Sequence, residues 1–133
     1  TQEPELTVEL ATASLLSEII RADTNIEEAE LEAYKKQLYR QFSLSQEALA
    51  TLAKEGQASA EEAVDLVQFT QVINTHCDNQ QKHTILKSLW EVAYADYAIA
   101  PIEEHTIRRI ADLLHIPHSQ FIKTKLAVTD GEV

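Results

Sequence analysis

Four carboxylates stand at matched places in the chain, and their type and spacing suit one kind of chemistry. Asp23 is followed seven residues later by Glu30, and Asp96 seven residues later by Glu103. Each pair brackets a short segment with an isoleucine, Ile26 or Ile99, at the same point between them. Hard cations such as Ca²⁺ and Mg²⁺ take several oxygen ligands, and carboxylates around a tight turn supply them. The chemistry on offer is binding of a divalent cation by Asp23, Glu30, Asp96 and Glu103. The spacing is not that of an EF-hand, whose longer loop places ligands at alternate positions around a central glycine. A purely structural reading stands beside this one. With Glu27 and Ala100 flanking a helix, Glu30 and Glu103 fall at its third position. There a carboxylate accepts from a free backbone N–H and meets the positive end of the helix dipole. Asp23 and Asp96 then brace the turns through side-chain to backbone bonds, and the isoleucines pin helix to helix.

No other grouping is as well placed. Neither His76-Cys77 nor His115-x-x-His118 supplies four ligands at zinc-finger spacing, so the histidines read as surface or helix-end residues. Cys77 is the only cysteine, which rules out an internal disulfide, and it reads as a small buried or half-buried filler. Trp90 and Tyr94 lie one turn apart and suit core packing. Glu32 with Lys36, and Glu104 with Arg108, have the favourable order for exposed ion pairs one helical turn apart. A Gly-rich phosphate loop and a Ser/His/Asp signature are both missing, so the chain reads as non-enzymatic.

The net charge of −11, from 22 acidic residues against 11 Lys and Arg, narrows the partners. Nucleic acid and anionic lipid both require concentrated basic charge. A small ion bound here should be a cation, and a protein partner should carry basic surface; solubility alone is the competing explanation for the charge. No run approaches the roughly 20 apolar residues of a membrane-spanning helix. The chain opens at Thr1 rather than methionine and so reads as trimmed, with room upstream for a removed signal, anchor or second domain.

The elements that must position the acids are helices. Glycine and proline are scarce, with two and three copies, while Ala, Leu, Glu, Gln and Lys abound. Apolar periodicity predicts seven helices in one domain spanning residues 1–133. The first covers about Glu5 to Ala22, with Leu6, Leu10, Ala13, Leu16, Ile19 and Ile20 on one stripe. The second follows Ile26 and turns Leu31, Tyr34, Leu38 and Phe42 inward. A third starts near Ser45, buries Leu49 and Leu52, and ends at Gly56. Ser59 with Glu62 reads as a capping box opening a fourth through Val64, Val67 and Val72. Asp78 with Gln81 opens the fifth in the same manner, carrying Ile85, Leu86, Leu89, Trp90 and Ala93. Pro101 suits the first position of a sixth, which presents Ile102, Ile107, Ile110 and Leu114. Pro117 precedes a last helix with Phe121, Ile122 and Leu126, and the tail from Thr129 is polar.

Sliding the chain on itself by 73 residues aligns Leu16, Glu18, Ala22, Asp23, Ile26 and Glu30 with Leu89, Glu91, Ala95, Asp96, Ile99 and Glu103. Six identities in fifteen positions stand against about one expected from composition. Past Phe42 a one-residue shift sets Phe42-Ser43-Leu44 beside Leu114-His115-Ile116. The expectation is an all-α bundle with an internal two-fold pseudo-repeat, its units at about residues 10–55 and 83–127.

The segment Leu89-Trp90-Glu91-Val92-Ala93-Tyr94-Ala95-Asp96, then Glu103 and Ile107-Arg108-Arg109-Ile110-Ala111-Asp112-Leu113-Leu114, resembles the hallmark of the TerB-like tellurite-resistance family. Leu15 through Asp23, with Glu30, resembles that family's N-terminal version, and the likeness runs from about Leu10 to Leu126. It implies a fold of about seven helices, a stand-alone bacterial cytoplasmic protein, and a metal-sensing or scaffolding part in stress-response assemblies. Family acids proposed to bind metal match Asp23, Glu30, Asp96 and Glu103. The family usually has Gly after each aspartate, where this chain has Thr24 and Tyr97. Glycine reaches backbone conformations that a β-branched or aromatic residue enters only at a cost, so these turns are expected to differ. Direct capture of tellurite is disfavoured, because a surface of charge −11 repels an anion. Two functions follow: a stress-response protein that binds a divalent cation through its paired acidic turns, or an acidic helical interaction module whose acids only cap helices.

Overall fold

Thr7 starts the first helix by accepting the Leu10 N–H on its hydroxyl at 3.1 Å, satisfying one of the donors a helix start leaves open. The helix that follows, α1 (Val8–Ala22), buries Ala11 to Leu16 without a break, then Ser17, Ile19 and Ile20. A helix apolar or small on nearly every side belongs in the middle of a bundle. α1 lies there, packed against five other helices: α2 (Glu28–Phe42), α3 (Gln46–Glu62), α4 (Val67–His76), α5 (Asn79–Ala93) and α6 (Pro101–Leu113). α7 (His118–Thr129) closes the far side of α5 and α6. The structure is a computed structural model that describes residues 6–23 and 28–130, and no strand occurs among these. The buried cluster draws on every helix, from Leu15 and Leu16 through Tyr34, Phe69, Trp90 and Ile107 to Phe121. Among the described residues no helix is long and apolar enough to cross a membrane.

The start signals that use side chains as predicted hold for α5 and α6. Asp78 accepts from Gln81 N and Gln81 returns the bond to Asp78 N, both at 2.8 Å. Pro101 is the first residue of α6. Two boundaries differ. Gly56 does not end α3, which runs on to Glu62. It is buried in the middle of that helix because a Cβ there would come within 2.6 Å of the Ala13 Cβ and 2.5 Å of the Tyr34 hydroxyl. Ser59 therefore lies inside α3 and caps nothing, and α4 begins only at Val67, where Asp65 Oδ1 accepts Val67 N at 2.9 Å. Val64, assigned by periodicity to a helix face, is 97% exposed in the link. Ile102 and Leu126 also stand largely outside the core.

Some neighbours are shared by the two stretches that the 73-residue offset aligns. α1 meets α2, α3 and α6, and α5 meets α6, α7 and α2. Ser43 and His115, aligned by the one-residue shift, both leave their helices with left-handed backbone, at φ 49 and 62. α1 also packs against α4, a contact without a counterpart in the second half, so the internal repeat stays an expectation of the sequence.

Candidate functional site

The second acidic turn is described in full. α5 ends as Tyr94 N donates to Trp90 O at 2.9 Å, and the chain then tightens as Tyr97 N donates to Tyr94 O at 2.9 Å. Tyr97 takes φ 66, the left-handed conformation open to glycine, although an aromatic residue enters it at a cost. Its ring is 82% exposed and meets Tyr94 edge-on, with centroids 5.7 Å apart. The backbone thus enters this region without a glycine. Asp96 is exposed and braces the turn, its Oδ1 accepting Ala98 N at 3.2 Å.

Glu103, third residue of α6, accepts Ala100 N on Oε1 at 2.8 Å, which is the capping role its spacing predicts. The burial of that carboxylate was not readable from the sequence. Glu103 is only 2% exposed, and its second oxygen, Oε2, is shut off from solvent with no hydrogen-bond partner. A buried carboxylate oxygen without a partner loses its hydration uncompensated, so this atom is the least satisfied feature of the turn. Ile99 packs against the core beside it, as expected.

In the first turn Asp23 follows α1 with extended backbone, and Glu30 is 2% exposed in the opening turn of α2; both acids are engaged in interactions. Residues 24–27, including Thr24 and Ile26, lie outside the described residues. The described helix ends that flank the two turns lie near one another. Ala29 of α2 shares a groove with Ala95 and Tyr97, and Arg21 of α1 shares another with His105 of α6. Yet among the described residues no three His, Cys, Asp or Glu side chains form a group that could hold a metal ion. The four acids therefore do not come together as one cage.

The remaining charged and aromatic residues divide as follows. Glu104 pairs with Lys125 of α7 at 2.6 Å rather than with Arg108, which lies over the Phe121 ring at 5.5 Å. Glu32 and Lys36 form no ion pair among the described residues, where the other pair is Glu18 with Arg21 at 2.7 Å. Cys77 is a half-buried free thiol, pushed up from its ordinary pKa first by burial and then by Asp78. His118 stacks on Phe121.

A family model described as tellurite resistance protein TerB matches residues 9–126 of the 133, a span that contains both acidic turns. No curated protein and no solved structure matches the chain.

Proposed function

The chain belongs to the TerB tellurite-resistance family, and from that premise we propose that it is a non-catalytic stress-response module that takes up a divalent cation, Ca²⁺ or Mg²⁺, at its acidic turns. One observation carries this reading: Glu103 Oε2, a buried carboxylate oxygen with no protein partner. A cation satisfies such an atom with the right sign of charge, in a chain whose net charge of −11 concentrates cations around it. Glu103 and Asp96 would hold the ion at the second turn, and Glu30 and Asp23 at the first. Since no three of the acids converge, water would supply most of the ligands, the usual manner for Mg²⁺, and binding would be weak. The ion would supply charge and rigidity at these turns and no reaction step.

A second reading is favoured by the capping bonds themselves. Ala100 N to Glu103 and Ala98 N to Asp96 account for one oxygen of each acid with no ligand at all. On this reading the domain is an acidic interaction module for a protein with basic surface. Thermal melts of chelator-stripped protein separate the two. Millimolar Ca²⁺ or Mg²⁺ should raise the midpoint by several degrees, since a ligand of the native state stabilises it. Glu103→Gln keeps the capping oxygen and drops the charge, and should abolish that rise. An unchanged midpoint, or an equal rise in the variant, leaves the interaction module. Its partner, drawn from native cell extract, should then dissociate at high salt.

A further inference from the structure

Along the α2–α5 seam, next to the groove that reaches Ala95 and Tyr97, residues of α2, α5 and the first turn of α1 line a half-open cavity of about 420 Å³. That is a size in which small organic ligands are bound. Its charge runs against that of the chain. Acids outnumber bases 22 to 11 overall, but the lining holds two bases, Arg40 and Lys87, and one acid, Glu91. Neither base is in an ion pair among the described residues, so both remain available to a ligand.

The wall between them is polar and held in place. Ser88, 2% exposed, donates from Oγ to Thr84 O at 3.0 Å and accepts the Gln41 side-chain amide. Gln37, one turn earlier on α2, is 7% exposed. The Gln41–Ser88 bond ties α2 to α5 across this wall and fixes where the Gln41 amide lies. Val8, Phe42 and Ile85 add an apolar surface on the same cavity. A bare inorganic anion would leave that surface unused, and a neutral hydrocarbon would leave the bases unused.

We propose that this cavity is a binding site for a small organic anion, an apolar body ending in a carboxylate. Arg40 and Lys87 meet the carboxylate, the Gln41 and Gln37 amides orient it, and the apolar surface takes the body. The site is independent of the cation reading, whose ion Arg40 and Lys87 would repel.

The test titrates octanoate into the full chain by calorimetry, with octanol and inorganic phosphate as comparators. Octanoate should bind saturably at one site, and more tightly than either comparator. Arg40→Ala with Lys87→Ala should weaken it about tenfold or more, the scale of a charge-assisted hydrogen bond. Both side chains are exposed, so the fold should survive, as an unchanged melt would verify. Cys77 lines the cavity and is the only thiol, so octanoate should also slow its alkylation by neutral iodoacetamide. Absence of saturation, equal binding of octanol or phosphate, indifference to the double substitution, or unaltered alkylation would each overturn the proposal.

Discussion

The contact between α1 and α3 and that between α5 and α7 are built in opposite ways. In the first, Ala13, Ala53 and Gly56 let two helix backbones approach so closely that there is no room for one more carbon. In the second, Trp90 and Phe121 fill the space, with ring centroids 5.0 Å apart, and Lys125 lies 5.8 Å from the Trp90 ring. The 73-residue offset sets Ser17 against Trp90, both buried, one a small polar side chain and the other the largest in the protein. The side-chain volume at the meeting point sets how closely two helices approach. The first contact is thus intolerant of added volume, the second of lost volume.

Phe121→Ala should have the largest effect. Phe121 is 1% exposed and is the main side chain by which α7 is buried, so truncation should cost about 3–5 kcal/mol by urea unfolding. A cost below that of an exposed position would mean α7 is not held by this ring. Gly56→Ala comes next and probes the opposite failure. The new methyl meets Ala13, whose backbone carbon is 3.0 Å away, and not only the movable Tyr34 hydroxyl. Overpacking of this kind costs about 1–3 kcal/mol. A neutral outcome would show that the first contact can open, and the contrast between the two contacts would fail.

Tyr34→Phe sharpens the first contact further. The phenol donates to Ala53 O at 2.7 Å, and its loss should cost about 1 kcal/mol. Burial pushes the Tyr34 pKa well above its ordinary value near ~10. The native state therefore keeps a proton that the unfolded chain loses. This contribution is whole below the ordinary value and is lost as pH climbs toward the raised one. The parent should lose stability steeply above pH ~10, and Tyr34→Phe should lose it less steeply over the same range. Parallel alkaline arms in unfolding titrations would show that Tyr34 is not the group responsible.

Legibility in the sequence followed the range of the forces involved. Asp78 with Gln81, and Pro101 at the head of α6, act within one turn, and both were readable from residue type and spacing. Ser59 with Glu62 has the same pattern but lies inside a longer helix, because Gly56 serves an approach to α1 that local sequence does not reveal. Glu104 found Lys125 on another helix in place of its near neighbour Arg108 for the same reason. At the acidic turns, spacing foretold the Ala100–Glu103 bond and the Asp96 brace. It could not foretell that Glu103 would be buried, since that depends on helices distant in sequence. Nor could it say whether the four acids would come together, and among the described residues no three of them do.

The smallest expected effect belongs to Tyr97, where the second acidic turn departs from the family's glycine. A left-handed backbone costs a side-chain-bearing residue roughly 1–2 kcal/mol that glycine avoids. The edge contact with Tyr94 offsets part of that for tyrosine, though at an exposed position it contributes little. Tyr97→Gly removes both strain and contact and restores chain freedom to the unfolded state, so its stability should stay within about 0.5 kcal/mol of the parent. Tyr97→Ala keeps the strain, loses the contact, and should fall about 1 kcal/mol below the glycine variant. The difference between the two variants isolates the backbone, because neither has a ring. Were alanine as stable as glycine by urea unfolding, the turn would carry no left-handed strain, and the persistence of this conformation without glycine would need another cause.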